Sequence, residues 1–596
     1  MCLFNKNLPM PALKPFLTIT GRMSIIFIYF LCAIVLTGCF GLNLNYSTPK
    51  RAGKYPVFTI KDSLRGSNTP SRSCYDVGFY DLNLTINIGG RSVSGNVLMK
   101  FKMLKMADSI QLDLHPDLTI DSIVWKGRNL SFTRSYTAVF VSFPQGMKAG
   151  ETESVRTYYH GIPQFAKKPP WEGGFVWKKD KNRKDWIGVA CENDGSSLWW
   201  PSKDLLCDEA DSVHFNMTIP SNLVCVSNGV LVSVDSNALT KTFHWVHRYP
   251  VNSYNVTFYI GDFRKISFPE KNKEIGYPVE FYVLPYHEEI ARKHFLQTFD
   301  VLRCYDSLFG PYPWRKENFK LVEAPFEGME HQTAIAYGSG FKNLEYGSDY
   351  IIVHETAHEW WGNSVTAKDY ADIWIHEGIA TYCEALYLEH KSGLQKSYSL
   401  LSLYAAAIKN KYPVVGPCDV AYWDYHDGDK YVKGAMMLHT LRNYLRNDSL
   451  FFRILRTFYR EHEYRFATTK DFIDLTNRLS GQDLGWFFNQ YLFDRRCPQL
   501  WYNTFMTYDY NRKEYSDFKL TYLYTSADAG FKLPVKAADN FSTRWIFPKP
   551  VADTLFIPSK GTYFRLNTDH SYVAIRSKSL NAILKMKRKQ DSNRKK

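Results

Sequence analysis

The sequence predicts a multidomain α+β fold, with an N-terminal β-sandwich-like domain, a mainly helical middle domain and a small C-terminal β-sandwich domain. Two observations predict it. At 596 residues the chain is too long for a single hydrophobic core. Short runs of alternating apolar and polar residues fill both ends of the chain, whereas apolar residues recur at helical spacing between them. We therefore expect domains at residues 74–265, 266–497 and 498–580.

The first 38 residues are typical of a lipoprotein signal peptide. Residues 25–36 are apolar but too few to cross a bilayer comfortably, and Lys14 and Arg22 precede them. Leu36-Thr37-Gly38-Cys39 resembles a bacterial lipobox, which predicts that Cys39 carries the lipid and becomes the mature N-terminus. An ordinary signal peptide with an incidental cysteine is the alternative. We expect a lipid-anchored protein of the bacterial cell envelope, on the outer membrane facing the periplasm, with surface exposure as the alternative.

Residues 39–73 and the domain that follows differ in pattern. Residues 39–73 are rich in Asn, Ser, Pro and Lys without sustained periodicity, which predicts a flexible linker. The N-terminal domain then opens with an alternating run at 81–88, a Gly-Gly turn and a second run at 93–101, as expected of paired strands. Cys191 and Cys207 are near enough in sequence for a disulfide in an oxidising compartment, but spacing alone leaves the pairing open.

The C-terminal region begins after Cys497-Pro498, where the alternating pattern returns with residues 518–524 and 545–556 as predicted strands. Residues 581–596 carry seven basic side chains and one acidic side chain, so this tail contributes +6 to the net charge of +15. We predict a disordered, solvated tail, with a dedicated binding arm as the alternative. Because the excess charge is concentrated there, we expect no nucleic-acid partner.

A metal-binding motif lies in the middle domain. His354-Glu355-Thr356-Ala357-His358 has the H-E-x-x-H pattern, which places both imidazoles on one helix face with Glu355 near the open coordination position. A second helical stretch carries Glu377, with eighteen residues between it and His358. Two histidines and a glutamate are a ligand set of catalytic zinc, so we expect one Zn²⁺ per chain. Glu384 shares the face of Glu377 and is either a hydrogen-bond partner of a ligating histidine or a surface acid.

With these residues the chain resembles the aminopeptidase N family of zinc metallopeptidases, which includes the bifunctional leukotriene hydrolases. The resemblance covers residues from about 74 to 575 and implies a thermolysin-like catalytic domain. The family often adds a fourth, all-helical domain, whereas the residues after Cys497 are strand-like and indicate the three-domain arrangement. Besides the metal motif, the resemblance rests on Gly328-Met329-Glu330, Trp361-Gly362-Asn363 and Tyr431-Val432-Lys433-Gly434-Ala435.

The resemblance implies a binding site for a free amino terminus. Glu330 would bind the α-ammonium group of the substrate, with Gly328 and Met329 beside it. A fixed anion at this end restricts a peptidase to the first residue of a chain. Glu327 and His331 depart from the family pattern, which has glycine and asparagine at these places.

The resemblance also implies a mechanism of water attack. Glu355 would be the general base, and the hydroxyl of Tyr431 would stabilise the oxyanion. Glu192 would be a second anchor for the amino terminus. The expected activity is therefore that of a zinc aminopeptidase acting on peptides with a free N-terminus, as a monomer.

Three other functions stay open at this point. An epoxide hydrolase activity like that of the leukotriene branch would use the same zinc site. A non-catalytic peptide-binding envelope lipoprotein would have a broken site, whereas the metal ligands, Glu355 and Tyr431 are all present. A zinc endopeptidase would cleave blocked and free peptides equally well.

Overall fold

The computed structural model describes residues 54–594 apart from 423, 425, 512–513, 529, 540–541, 549–552 and 558–563. Cys39 and the predicted signal peptide lie outside the described residues. A β-rich domain, a mainly helical domain and a second β-rich region follow one another along the described chain, so the predicted α+β fold is confirmed. The described helices include none with both the length and the apolar character needed to span a membrane.

Residues 54–73 form an ordered segment that we call the strap. Arg72 is fully buried, and its Nη2 donates to Asp113 Oδ2 at 2.6 Å. Gly66 packs so tightly on the helical domain that a Cβ there would lie 2.1 Å from the backbone nitrogen of Ala421. The prediction of a flexible linker is therefore wrong for residues 54–73. The residues that bury this segment lie far away in sequence, so its local composition does not indicate that it is ordered. The strap contains helices α1 (Ile60–Gly66) and α2 (Pro70–Ser73).

The N-terminal domain consists of β-sheets whose strands alternate buried and exposed side chains. The two runs predicted as paired strands are antiparallel neighbours, with Asp81 opposite Leu98. Its strands are β1 (Tyr75–Asn87), β2 (Ser92–Met103), β3 (Ala107–Asp113), β4 (Leu118–Trp125), β5 (Arg128–Asn129), β6 (Phe132–Ser135), β7 (Ala138–Met147), β8 (Thr152–Gly161), β9 (Gly174–Lys179), β10 (Asp185–Ala190), β11 (Glu209–Ala210), β12 (Ser212–Pro220), β13 (Val224–Ser227), β14 (Val230–Ser236), β15 (Thr240–His247), β16 (Val251–Asn252) and β17 (Phe258–Gly261).

Three of these sheets form the body of the domain. The largest has the strand order β14-β15-β12-β1-β2-β8-β4-β5, and β1 runs parallel to β12. The others have the orders β13-β17-β10-β9 and β3-β7-β6. Strand β10 ends at Ala190, so the loop that carries Glu192 begins where this sheet ends. Cys191 and Cys207 are both free thiols, so the disulfide that the sequence left open is not formed.

The helical domain packs its helices against a mixed sheet of order β18-β19-β20-β22-β21. Strand β21 is the last in this order, antiparallel to β22, and carries Gly328 and Met329. The elements are β18 (Arg264–Ser267), α3 (Pro269–Ile275), β19 (Val279–Val283), α4 (Glu288–His294), α5 (Gln297–Phe309), β20 (Phe319–Glu323), β21 (Gly328–Met329), β22 (Ile335–Tyr337), α6 (Tyr350–His358), β23 (Val365–Ala367), α7 (Trp374–Ser392), α8 (Leu394–Ala407), α9 (Asp429–Leu445), α10 (Asp448–His462), β24 (Arg465–Ala467), α11 (Thr469–Ser480), α12 (Gly485–Phe488) and a π-helical turn (Asn489–Phe493).

The C-terminal region has two sheets followed by a helix. Their strand orders are β29-β26-β25-β31 and β28-β27-β30. The final helix packs on β25 and β26 and buries Ile583 completely. The predicted disorder of the tail is therefore wrong for residues 581–594, because this apolar side chain anchors them. The elements are β25 (Gln499–Asp509), β26 (Glu514–Thr525), β27 (Val535–Asp539), β28 (Thr543–Ile546), β29 (Asp553–Ile557), β30 (Phe564–Asn567), β31 (Ala574–Ser577) and α13 (Leu580–Arg594).

Candidate metal centre and active site

Helix α6 positions the H-E-x-x-H motif. Asp349 caps its N-terminus by accepting a hydrogen bond from the backbone N–H of Ile351 at 3.0 Å. His354, Glu355 and His358 are all buried on this helix. Because residues four apart share a helix face, both histidine rings reach the same point.

Three side-chain atoms converge in a geometry that suits a tetrahedral metal ion. His354 Nε2 and His358 Nε2 lie 3.1 Å apart, and Glu377 Oε2 lies 3.5 Å from each of them. Ligands about 2.0–2.1 Å from a tetrahedral zinc ion are about 3.3 Å from one another. The donor set and its spacing therefore fit Zn²⁺.

The other nitrogen of each imidazole is already bonded. His354 Nδ1 lies 2.8 Å from Glu384 Oε1, and His358 Nδ1 lies 2.9 Å from the carbonyl oxygen of Trp361. These contacts orient both Nε2 atoms towards the common centre. The hydroxyl of Tyr404 donates in turn to the second oxygen of Glu384. The sequence left two interpretations of Glu384 open, a hydrogen-bond partner of a ligating histidine or a surface acid, and the structure shows the first. Nothing in the sequence indicated Tyr404.

The charges of this cluster are strongly coupled. Burial opposes ionisation of Glu377, yet the neighbouring His358 and His354 lower its pKa to about 2. Burial alone would lower the pKa of His358, but Glu377 and Glu330 raise it to about 9.

Glu355 lies against the backbone of strand β21. A Cβ on Gly328 would be 2.6 Å from Glu355 Oε1, so the absence of a side chain at residue 328 leaves room for this carboxylate. Burial raises the pKa of Glu355 to about 8, against the opposing effect of His354 and His358. A buried carboxylate with a raised pKa next to a metal site is suited to accept and return a proton.

A pocket of carboxylates adjoins the metal centre. One side-chain oxygen each from Glu192, Glu330 and Glu377 lie within 4.8 Å of one another. The hydroxyl of Tyr254 donates to Glu330 Oε1 at 3.2 Å. Burial and the charges of Glu330 and Glu377 raise the pKa of Glu192 well above its usual value. Such a cluster favours a bound cation, because a positive charge would relieve the repulsion among the acids.

Tyr431 reaches the same centre from helix α9. Its ring stacks on His354 with centroids 6.2 Å apart and an interplanar angle of 25°. Burial and the charge of Glu377 raise the pKa of its hydroxyl, which therefore stays protonated as a hydrogen-bond donor, and a side-chain hydrogen bond joins it to Trp171 of the N-terminal domain. Trp171 is a neighbour of the site that the sequence analysis missed.

Two glycines set the distance between the helices that carry Glu377 and Tyr431. A Cβ on Gly434 would lie 2.8 Å from Gly378 Cα, and one on Gly378 would lie 3.0 Å from Gly434 Cα. Helices α7 and α9 therefore touch backbone to backbone directly beside Glu377.

Comparison with known proteins agrees with this geometry. Residues 298–491 match the Peptidase family M1 domain. The chain contains an M1 peptidase domain. The predicted resemblance to the aminopeptidase N family is thereby confirmed, since human aminopeptidase N is 26% identical over 275 residues, which are 40% of this chain and 28% of that protein.

Two further comparisons extend the match. Aminopeptidase 2 of Candida albicans is 26% identical over 287 residues, 44% of this chain and 30% of that protein. The matched part thus spans less than a third of these curated relatives. An M1 zinc metallopeptidase mutant from Deinococcus radiodurans, solved with a Tyr-Ser-Ala substrate, has a TM-score of 0.61 and 22% identity over 73% of this chain and 97% of that chain. That structure has the same fold.

His331 and Glu327, the two residues that depart from the family pattern, have different surroundings in the M1 domain. His331 is fully buried, its Nδ1 lies 2.7 Å from the hydroxyl of Tyr259, and burial lowers its pKa to about 3. His331 is therefore a neutral side chain packed in the protein interior. Glu327 by contrast is exposed to solvent. Asn363, from a predicted motif, donates its Nδ2 to the backbone oxygen of Glu330 at 2.9 Å.

Proposed function

We propose that this protein is a zinc-dependent aminopeptidase that removes the first residue from peptides. The observation that carries the proposal is the position of Glu192 and Glu330, whose side-chain oxygens lie within 4.8 Å of the metal ligand Glu377 and of each other. A peptide whose α-ammonium group sits between these two carboxylates has its first peptide bond near the metal ligands and Glu355. Two carboxylates at this place would hold a free amino terminus and leave one residue before the scissile bond, which favours removal of single residues.

The mechanism uses groups on both sides of the scissile bond. A zinc ion held by His354, His358 and Glu377 would polarise the carbonyl and lower the pKa of a water molecule. Glu355 takes a proton from the attacking water and returns it to the leaving amine. The Tyr431 hydroxyl donates a hydrogen bond to the oxygen that becomes negative. The C–N bond breaks, and the free amino acid and the shortened peptide leave.

Strand β21 can form backbone hydrogen bonds with the substrate. Among the described strands this one lies at the edge of its sheet, and it carries Gly328 and Met329 beside Glu355. An extended peptide can therefore pair with it and hold the scissile bond against the base.

A panel of aminoacyl reporter substrates tests the proposal. We expect activity that a chelator removes and that one equivalent of zinc restores. Glu355→Gln should lower turnover by about 10²–10⁴-fold. Glu289→Gln is the matched control, because Glu289 is an exposed acid on α4 that pairs with Lys293. Activity that survives both the chelator and Glu355→Gln would rule out this mechanism.

Blocked peptides test the role of the carboxylate pair. Acetylation of the substrate amine should lower kcat/KM by about 10²-fold or more, because two buried carboxylates would lose their cation. Equal cleavage of acetylated and free peptides would instead establish an endopeptidase. Hydrolysis of a lipid epoxide without release of amino acids would favour the epoxide hydrolase alternative, and zinc and peptide binding without any turnover would favour the binding lipoprotein.

We also propose that the protein is a monomeric lipoprotein anchored to the bacterial envelope through Cys39. The lipobox at residues 36–39 is the support for this proposal. Metabolic labelling with a fatty acid, followed by membrane fractionation, tests it. Cys39→Ser should abolish both the label and the membrane association, and a labelled Cys39→Ser protein would refute the assignment.

A further inference from the structure

Glu327 is a charged residue of the M1 domain that the proposed mechanism does not use. The family pattern has glycine at this place, and here a carboxylate reaches solvent. Among the described residues, no cationic side chain forms an ion pair with it, and partial burial raises its pKa. For a partly buried carboxylate without a cationic partner, binding of a positively charged ligand group is favourable.

The backbone of Glu327 is held rigidly next to strand β21. Its carbonyl oxygen accepts a hydrogen bond from the backbone N–H of Gly338 at 2.7 Å. The next residue, Gly328, pairs with Tyr337 in the antiparallel ladder. The carboxylate therefore starts from a fixed point, one residue from the glycine that contacts Glu355.

The order of residues along this segment gives the direction of a bound peptide. Glu330 lies in the carboxylate pocket proposed for the α-ammonium group, and Gly328 lies against Glu355, where the scissile bond is attacked. Glu327 follows on the far side of Gly328. Glu327 and Glu330 flank the two-residue strand β21, and at about 3.3 Å per extended residue they are separated by up to about 10 Å. This places Glu327 opposite the second or third residue of the peptide.

Tyr350 is a further neighbour of Glu327 at the site. Its ring stacks on His354 with centroids 5.3 Å apart. The carboxylates near enough to interact with its hydroxyl include Glu384, Glu355 and Glu327. Glu327 and this partly exposed tyrosine are thus both open to solvent close to the metal-binding histidines.

We propose that Glu327 makes the protein select peptides with a lysine or arginine at the second or third position. This inference rests on the proposed aminopeptidase function and names its substrate class. The ammonium or guanidinium group pairs with the Glu327 carboxylate on the leaving-peptide side of the scissile bond, while the first residue is held by its own α-ammonium group. An acidic side chain at the same position is repelled.

The test compares two peptide series, Ala-Xaa-Ala-Ala and Ala-Ala-Xaa-Ala, in which Xaa is Lys, Gln or Glu. Release of the first alanine gives kcat/KM for each peptide. We expect the lysine peptide of at least one series to exceed its glutamine counterpart by about three- to tenfold, as for an ion pair near a protein surface. High ionic strength should reduce this ratio. Glu327→Gln should bring the ratio of lysine to glutamate peptides close to one.

Glu289→Gln is again the matched control, because it makes the same change in net charge on an exposed helix, and it should leave the ratio unchanged. A wild-type protein that prefers lysine at neither position overturns the inference, as does a Glu327→Gln variant that keeps the preference. In both cases alanine is still released, so the proposed aminopeptidase function survives. If no peptide releases alanine, the proposed function fails and this inference fails with it.

Discussion

Replacing Gly434 by alanine should displace Tyr431 from the metal centre. The new Cβ would lie 2.8 Å from Gly378 Cα, whereas carbon atoms in ordinary contact are about 3.5–4.0 Å apart. Helices α7 and α9 must therefore separate by about 1 Å. Overpacking of this kind costs about 1–3 kcal/mol, and the better helix propensity of alanine offsets up to about 1 kcal/mol of it. We expect the fold to survive with a small loss of stability.

The catalytic loss should exceed the loss of stability. A displacement of about 1 Å at a positioned group costs about 10²-fold in rate, and removal of an oxyanion donor costs about 10²–10³-fold. Turnover of an aminoacyl reporter, zinc content and the unfolding temperature should be measured together. Gly530→Ala is the control, since its Cβ would be 3.6 Å from the nearest side-chain atom, an ordinary contact. A folded, zinc-loaded Gly434→Ala protein with full turnover would refute the view that this contact positions Tyr431.

Three further predictions follow from contacts around the site and the core. Tyr404→Phe removes the donor to Glu384, so zinc should transfer to a chromogenic chelator about tenfold faster, and an unchanged rate would contradict the role. Arg65→Ala should raise KM for free peptides without changing zinc content, because Arg65 binds the loop beside Glu192; equal changes with acetylated substrates would argue against it. Burial lowers the pKa of Lys320 to about 8. Between pH 8 and 10.5 the unfolded chain then binds more protons than the folded chain. The contribution of Lys320 to the free energy of unfolding therefore rises with pH, by roughly 3 kcal/mol over this range. Lys320→Met should lack this rise when unfolding is measured at pH 8 and at pH 10.5.

The convergence of the three candidate metal ligands could be predicted from sequence because their geometry is mostly local. A helix fixes the relative position of His354 and His358, and Glu377 lies on the next helix along the chain. Spacing therefore carried nearly all the information. Trp171 and Tyr404 carry no such signal, because their approach depends on how a loop of one domain and a separate helix pack around the site.

The errors at the two ends have the same physical origin. Residues 54–73 and 581–594 lack the periodicity of ordinary elements, and composition alone indicated disorder. Each segment contains a fully buried side chain, Arg72 in the strap and Ile583 in α13. A partner that lies far along the chain, such as Asp113 for Arg72, is invisible to local pattern analysis.

The strap and the carboxylate pocket together place the proposed binding site for the substrate amine at the joint between two domains. Glu192 belongs to the N-terminal domain and Glu330 to the M1 domain, and the strap touches both sides through Arg65 and Gly66. A peptide amine bound between the two acids becomes one more bridge across that joint. The His354 metal centre, in contrast, is built within a single domain. Conditions that loosen the joint should therefore cost the protein its preference for free amino termini before they cost it the metal.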